Sequence, residues 1–328
     1  MKGSFSTAII MNKNKCIHIF KRFFVGILVF LIFFSALIGP EAVYAKENSE
    51  SNYAEILQGI EGLIERVRAL EKDNLKLKQD NVRLMKIIEQ GIAKQVPVLL
   101  YHHLYDGDLK TSPYNGNGVV ISVDSFKEQM KYLKDNGYYT ATLEELERFI
   151  AKEIDLPKKT VVITFDDGYY SNIEYAYPIL KKHGQRATIF VIGKNVEDVT
   201  NGTLSPTKLK GVGYEDIKNT SDVFEFHSHT YNLHNYTGDE PSLTVLSKED
   251  IVEDISKIRE DLGTDYLAYP FGGYNDTTIE ALIEAGYKLG FTVKEGYVSP
   301  NTEKYEIPRL SIWPWTSIGR FKQIVAPR

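Results

Sequence analysis

After Pro97 the chain repeats one unit, a short apolar run followed by an amphipathic segment that a glycine ends. Runs at 96–101, 160–165, 187–192, 223–228, 266–269 and 289–293 are short, apolar and often β-branched or aromatic, and predict strands. Between them, 125–136, 143–151, 173–182, 248–262 and 278–285 space their apolar residues for helices, with Gly137, Gly184, Gly263 and Gly286 as stops. A helix between two strands carries the chain back to the side it left, so such strands pair in parallel. Over about 230 residues the pattern predicts one α/β domain at 95–328, a distorted parallel (β/α) barrel. The segment 195–208, polar and holding Gly, Pro, Ser and Thr, reads as a mobile surface loop. Barrels of this kind draw their reactive groups from the C-terminal ends of strands.

A different period precedes the barrel. Ile56, Leu63, Leu70, Leu77 and Leu84 occupy one heptad register (d), and Ile60, Val67, Asn74, Asn81 and Ile88 the other (a). Leu at d with β-branched residues at a favours two strands, and a buried Asn at a is tolerated when it meets its own copy. Asn74 and Asn81 therefore predict a parallel homodimer through 56–88, inside a coiled-coil domain at 46–94. Arg66 facing Glu71 and Asp73 facing Lys78 across the seam agree. The competing reading is an amphipathic helix packed on its own domain, and Gly59 and Gly62 weaken the first heptad. Ahead of the coil, Lys13, Lys15, Lys21 and Arg22 precede an apolar run at 23–38 and the small-residue end Val43-Tyr44-Ala45. That order is a secretory signal cleaved after Ala45 or, at sixteen apolar residues, a short membrane anchor; either predicts a secreted or envelope-associated protein.

The net charge is −5 and no basic tract rises above the background, which excludes nucleic acid as the expected partner. Cys16, the single cysteine, lies in the targeting segment, so disulfides play no part in the fold.

Two motifs fall at strand ends: Thr164-Phe165-Asp166-Asp167-Gly168 and His229-Thr230-Tyr231-Asn232-Leu233-His234. One carboxylate with two imidazoles makes a three-ligand set for a divalent metal and leaves positions open for water and substrate. Five residues separate His229 from His234, so they converge only where the chain turns between them. His227 and His229 would share one strand face and are the rival pair. Adjacent Asp166 and Asp167 point apart unless Gly168 permits a bend, which suits one to metal and the other to water. His183, at a helix end before Gly184, reads as structural. Trp313-Pro314-Trp315 would either stack on sugar rings or seal the barrel.

Together with Ala268-Tyr269-Pro270-Phe271-Gly272, these motifs resemble the first three of the NodB-homology polysaccharide deacetylases, carbohydrate esterase family 4. The resemblance implies that Asp167 binds metal with His229 and His234, that Asp166 is the general base, and that the Phe271 N–H serves the oxyanion. No His follows His234, and Ala268 stands where the family has an Arg. Instead the domain opens with Pro97-Val98-Leu99-Leu100-Tyr101-His102-His103, similar to the permuted branch that acts on poly-β-1,6-N-acetylglucosamine. That similarity assigns the general acid to His102, with His103 the alternative. It offers Arg309 as the missing Arg that orients Asp166, against a plain structural Arg, and sets Tyr269 beside Phe271 at the substrate. The implied protein removes N-acetyl groups from an N-acetylglucosamine polymer, exopolysaccharide or peptidoglycan, using Zn2+, with Co2+, Ni2+ or another first-row metal also suited to the set. The alternatives are a catalytically silent glycan-binding protein and an envelope scaffold built around the coil.

Overall fold

The computed structural model describes residues 41–205 and 209–328. The segment 1–40, with the basic and apolar parts of the targeting signal, lies outside the described residues. Within them no helix is long and apolar enough to cross a membrane.

A curled parallel sheet of eight strands has seven along its path, β1 (Val98–Tyr101), β2 (Thr160–Phe165), β3 (Ala187–Val191), β4 (Phe224–Ser228), β5 (Tyr266–Ala268), β6 (Leu289–Phe291) and β7 (Leu310–Ser311), with the two-residue strand Tyr139–Thr140 pairing beside β2. Their spatial order is β6-β5-β4-β3-β2-β1-β7. The ring closes through the segment leading into β7. Gly290 N–H donates to the Lys304 carbonyl and Thr292 N–H to that of Ile307, while Leu310 pairs with Leu99 of β1. One stretch near residue 309 thus touches both edges of the sheet, giving a distorted (β/α) barrel.

Parity along the strands divides the core. In β2, Val161, Ile163 and Phe165 join the layer beneath the helices. Val162 joins Phe190, Ala268, Phe291 and Ile307, which fill the barrel. All six β2 residues are buried, as expected for a parallel strand covered on both faces. The helices in chain order are α1 (Glu41–Gln90), α2 (Val123–Asp135), α3 (Leu143–Ile150), α4 (Tyr177–His183), α5 (Gly193–Asn201), α6 (Tyr214–Thr220), α7 (Lys248–Leu262), α8 (Asp276–Glu284) and α9 (Ile318–Ile324).

Two expectations change. Helix α5 occupies much of the segment read as a loop; it starts without a side-chain cap and buries only Gly193 and Val196, so its sequence carries little helical signal. The helix expected over 173–182 begins as a π-turn at Asn172–Ala176 and continues as α4, with Pro178 in the first turn of the latter. Helix α1 runs 50 residues, longer than the heptads. Ile56, Ile60, Leu63, Val67, Leu70, Leu77, Leu84 and Ile88 are all exposed along it. The chain divides into two units after Lys78. In the second, Arg83 donates to the Asp155 carbonyl and Lys86 to that of Gly137, which ties the last turns of α1 to the barrel body.

Candidate metal centre

Strand parity positions the first carboxylate. Thr164 and Asp166 continue the side of β2 that Val162 sends into the barrel. Asp166 is met there by Arg309, which is fully buried. The guanidinium grips both carboxylate oxygens, at 2.8 and 2.7 Å, and its Nε donates to the Thr292 carbonyl at 2.8 Å. This fork-to-fork pair uses the planar donor set that only Arg has. Beyond Asp166 the chain turns sharply, with Asp167 at φ 71° and Gly168 at φ 69°. A Cβ on Gly168 would lie 3.0 Å from Val191 Cγ1, so both the space and the conformation ask for glycine. Two left-handed residues in succession swing Asp167 away from its neighbour, the bend that separate roles require.

The two imidazoles converge by a second turn. His229 N–H still pairs with Val191 O at 2.9 Å, and Thr230 then enters the left-handed region at φ 68°. Asp254 of α7 accepts the N–H groups of Tyr231 and Asn232, both at 2.8 Å, and holds the returning loop. His234 is thereby brought to a ring separation of 4.9 Å from His229. His229 Nδ1 lies 2.8 Å from the Ala268 carbonyl, which fixes the proton on Nδ1 and leaves the Nε2 lone pair facing the site. Asp167 Oδ1 stands 3.4 Å from His229 Nε2 and 3.1 Å from His234 Nε2. The candidate ligand atoms of all three residues lie within 4.8 Å of one another. Ligands at Zn–N and Zn–O distances around 2.0–2.1 Å in a tetrahedron would be roughly 3.3 Å apart. The residues fit a divalent cation.

The charges agree with that fit. Burial pushes the Asp167 carboxyl up, but the imidazoles of His229, His234 and His102 outweigh it and hold the group well below the usual carboxylate range. Burial works the same way on Asp166, and Arg309 above all brings it below its ordinary value. Burial opposes a charge on His229, yet the Asp166 and Asp167 carboxylates raise it. A cation in this position would take the place of that proton.

The other site residues fall in distinct places. His102 follows β1 and lies within electrostatic reach of Asp166, Asp167, Arg309 and His229; burial lowers its pKa while the two carboxylates raise it. His103 is 2.9 Å through Nδ1 from Ser171 Oγ, with its ring against Tyr114 and Tyr169. His227 shares the strand face of His229 but not the cluster. Its Nδ1 is 2.6 Å from Thr264 Oγ1, and the ring packs edge-on to Tyr266. His183 is the last residue of α4, before the Gly184 cap. Phe271 takes φ 57°, and its ring lies 4.5 Å from that of His234. Gly272 and Gly273 donate to the Tyr269 and Pro270 carbonyls, which leaves the Phe271 N–H out of the turn's hydrogen bonds. The structure does not bring the Tyr269 side chain to the site. Parity sends it outward with Leu267, it is fully buried against the outer helices, and its phenol donates to the Tyr305 carbonyl.

Two contributors escaped the sequence. Asp254 sits mid-helix, and only the contacts of its carboxylate reveal its part; burial pushes it up to about 6. Tyr169 follows Gly168 and lies against Asp167, whose charge adds to burial in raising the phenol. With Asp167, His234, Asn232 and Asn235 it lines a cavity of about 390 Å³, large enough for one sugar ring.

A parallel barrel with acids and imidazoles gathered at its strand ends belongs to the class of barrel hydrolases. The polysaccharide deacetylase family matches residues 153–290. The Bacillus subtilis (strain 168) protein YxkH, named for the same family, is 31% identical over 69% of this chain and 75% of its own length. A poly-β-1,6-N-acetyl-D-glucosamine N-deacetylase of Staphylococcus aureus (strain MSSA476) is 34% identical over 58% of this chain and 67% of its own. Among solved structures, the Streptococcus pyogenes deacetylase PplD in complex with acetate superposes with a TM-score of 0.61 at 29% identity, covering 72% of this chain and all of PplD. IcaB from Ammonifex degensii gives 0.59 at 30% identity, covering 72% and 97%. The chain belongs to the polysaccharide deacetylase family of NodB homology, carbohydrate esterase family 4, and is a hydrolase of amide bonds.

Proposed function

We propose that this protein is an extracytoplasmic, divalent-metal-dependent N-deacetylase of an N-acetylglucosamine polymer, with poly-β-1,6-N-acetylglucosamine the favoured substrate over peptidoglycan. One observation carries the reading: Asp167, His229 and His234 gather their donor atoms within 4.8 Å, beside an Asp166 that Arg309 keeps ionised. The polymer follows from the likeness to the Staphylococcus aureus enzyme and IcaB. Export follows from the signal-like segment 1–45, and assembly as a parallel homodimer from the exposed heptad seam of α1 with Asn74 and Asn81 at a.

Asp167, His229 and His234 would hold the cation, Zn2+ or another first-row metal. When bound it supplies Lewis acidity toward the amide carbonyl and lowers the pKa of water. Asp166 accepts the proton of the attacking water, and its grip on Arg309 fixes the direction in which it can do so. The carbonyl oxygen, negative once water has added, is met by the Phe271 N–H. His102 protonates the departing amine, since an amide nitrogen leaves only as the neutral amine, and the carbon–nitrogen bond breaks to give acetate and glucosamine. Burial lowers the His102 pKa on balance, and the two carboxylates facing it offset part of that loss, so it gives up its proton readily to the departing nitrogen.

The test is acetate release by metal-loaded protein from poly-β-1,6-N-acetylglucosamine, peptidoglycan glycan and chitooligosaccharide, with Asp166→Asn and His234→Ala in parallel. Release that both substitutions abolish, fastest on the β-1,6 polymer, is expected. Full activity in Asp166→Asn, or no acetate from any of the three, overturns the proposal.

A further inference from the structure

Outside the metal centre, one cavity is built from a different set of elements. It has a volume of about 720 Å³ and lies between the loop 106–117 and the Pro314-Trp315 turn. Trp313 and Trp315 stack at 5.6 Å with their planes 2° apart, and they are 37% and 67% exposed. Indoles that sealed a core would be covered, so exposure on this scale argues against a role in closing the barrel. The pair is held in place. Thr316 N–H donates to the Trp313 carbonyl and Thr316 Oγ1 accepts the Trp313 N–H, each at 2.9 Å. Gly118 lies against both rings, where a Cβ would come 3.2 Å from Trp313 and 3.4 Å from Trp315. A rigid, exposed aromatic plane beside a roomy cavity matches the apolar C–H face of a pyranose.

The rest of the lining sets a charge preference. Asp106, Asp108 and Asp124 face the cavity with one cation, Lys110. None of the three carboxylates is in an ion pair among the described residues. A run of packed aromatic rings joins the wall of this cavity to that of the catalytic one. Tyr114 lines it and packs 5.0 Å from His103, which packs 5.2 Å from Tyr169 of the catalytic cavity.

We infer that this cavity is a second sugar subsite, in which Trp315 stacks on a hexosamine of the same polymer and the carboxylates select the unit whose amine is already free. The inference rests on the proposed polymer substrate but not on turnover. A free amine is an ammonium at neutral pH and meets a net negative lining, whereas an N-acetyl group is neutral. The enzyme would then hold strands it has begun to deacetylate and work preferentially beside its own product.

Trp313 and Trp315 are the only tryptophans in the chain, so tryptophan emission comes from this stacked pair alone. Full-length protein freed of metal with EDTA is titrated with a β-1,6-linked glucosamine pentasaccharide and with its fully N-acetylated counterpart. The expected result is a saturable change in emission, at least fivefold tighter for the glucosamine oligomer at pH 6.5 and weakened by salt. Trp315→Ala, an exposed position, is expected to weaken binding tenfold or more by calorimetry, and Asp106→Asn with Asp124→Asn to abolish the preference between oligomers. Unchanged emission with both oligomers, equal affinity for the two, or undiminished binding by Trp315→Ala overturns the inference. Absent deacetylation with intact fluorescence binding would count against the catalytic reading alone.

Discussion

Replacing Arg309 with Met removes a guanidinium and keeps much of the volume. It leaves Asp166, 2% exposed, without the two charge-assisted hydrogen bonds of 2.8 and 2.7 Å. Breaking a buried pair from one side costs about 3–5 kcal/mol, because the remaining charge stays out of water. For a body of roughly 250 residues that corresponds to a fall in Tm of about 10 °C, measurable by calorimetry on the metal-free protein. The carboxyl responds as well. Burial alone would raise Asp166 and Arg309 is the chief group that lowers it, so its pKa rises in the variant. A base must be ionised to act, and the acid limb of kcat/KM therefore moves to higher pH. Adding Asp166→Asn in the Arg309→Met background removes the stranded charge and should restore at least half of the lost stability while abolishing the remaining activity. An Arg309→Met protein that melts within 1 °C of the parent would refute the reasoning. A second substitution that lowered the Tm further would refute it equally.

Asp254→Ala releases the N–H groups of Tyr231 and Asn232 and should weaken metal affinity by about 10–100-fold in a chelator competition, the usual effect of losing a group that orients a ligand; unchanged affinity would show that the loop holds itself. Loss of water pushes the partly buried His227 imidazole down to about 3, below its unfolded value near 6.5. Stability from this residue is complete above pH 6.5 and is lost as pH falls toward 3, at up to about 1.4 kcal/mol per unit. His227→Gln should accordingly lose about 2 kcal/mol less than the parent between pH 7 and pH 5 in urea melts, and equal losses would remove His227 as a cause. Saturating Zn2+ at a hundred times its dissociation constant should add about 2.7 kcal/mol to stability, an increment absent from His234→Ala. Asn74→Ile with Asn81→Ile should turn a dimer into mixed higher oligomers by sedimentation, and an unchanged state would place those side chains away from a shared seam.

Periodicity made most of the barrel legible. The run 160–165 and the helix 248–262 match β2 and α7 to the residue, because each is bounded by a change of pattern or a cap such as Ser247 and Gly263. The five-residue gap between His229 and His234 demanded a turn, and Thr230 supplies it at φ 68°. What escaped was set by contacts between distant segments. The two residues of β7 are too short to show a period, yet the stretch leading into them closes the ring and carries Arg309. Tyr269 sits in a motif beside Phe271, and only strand parity shows that its side chain leaves the site. Helix α5 is polar and uncapped, so local propensity argued for a loop where packing of Val196 gave a helix.

The pairing of Leu99 with Leu310 makes the first and last staves of the barrel neighbours. A closed ring of this kind has no intrinsic beginning, so the order in which its working groups are encoded is independent of their order in space. His102 would stand in the same place if the chain entered the ring one stave earlier and delivered it last. A chain that encoded an equivalent imidazole at the far end of its gene would need to differ in nothing but where the loop of chain was cut.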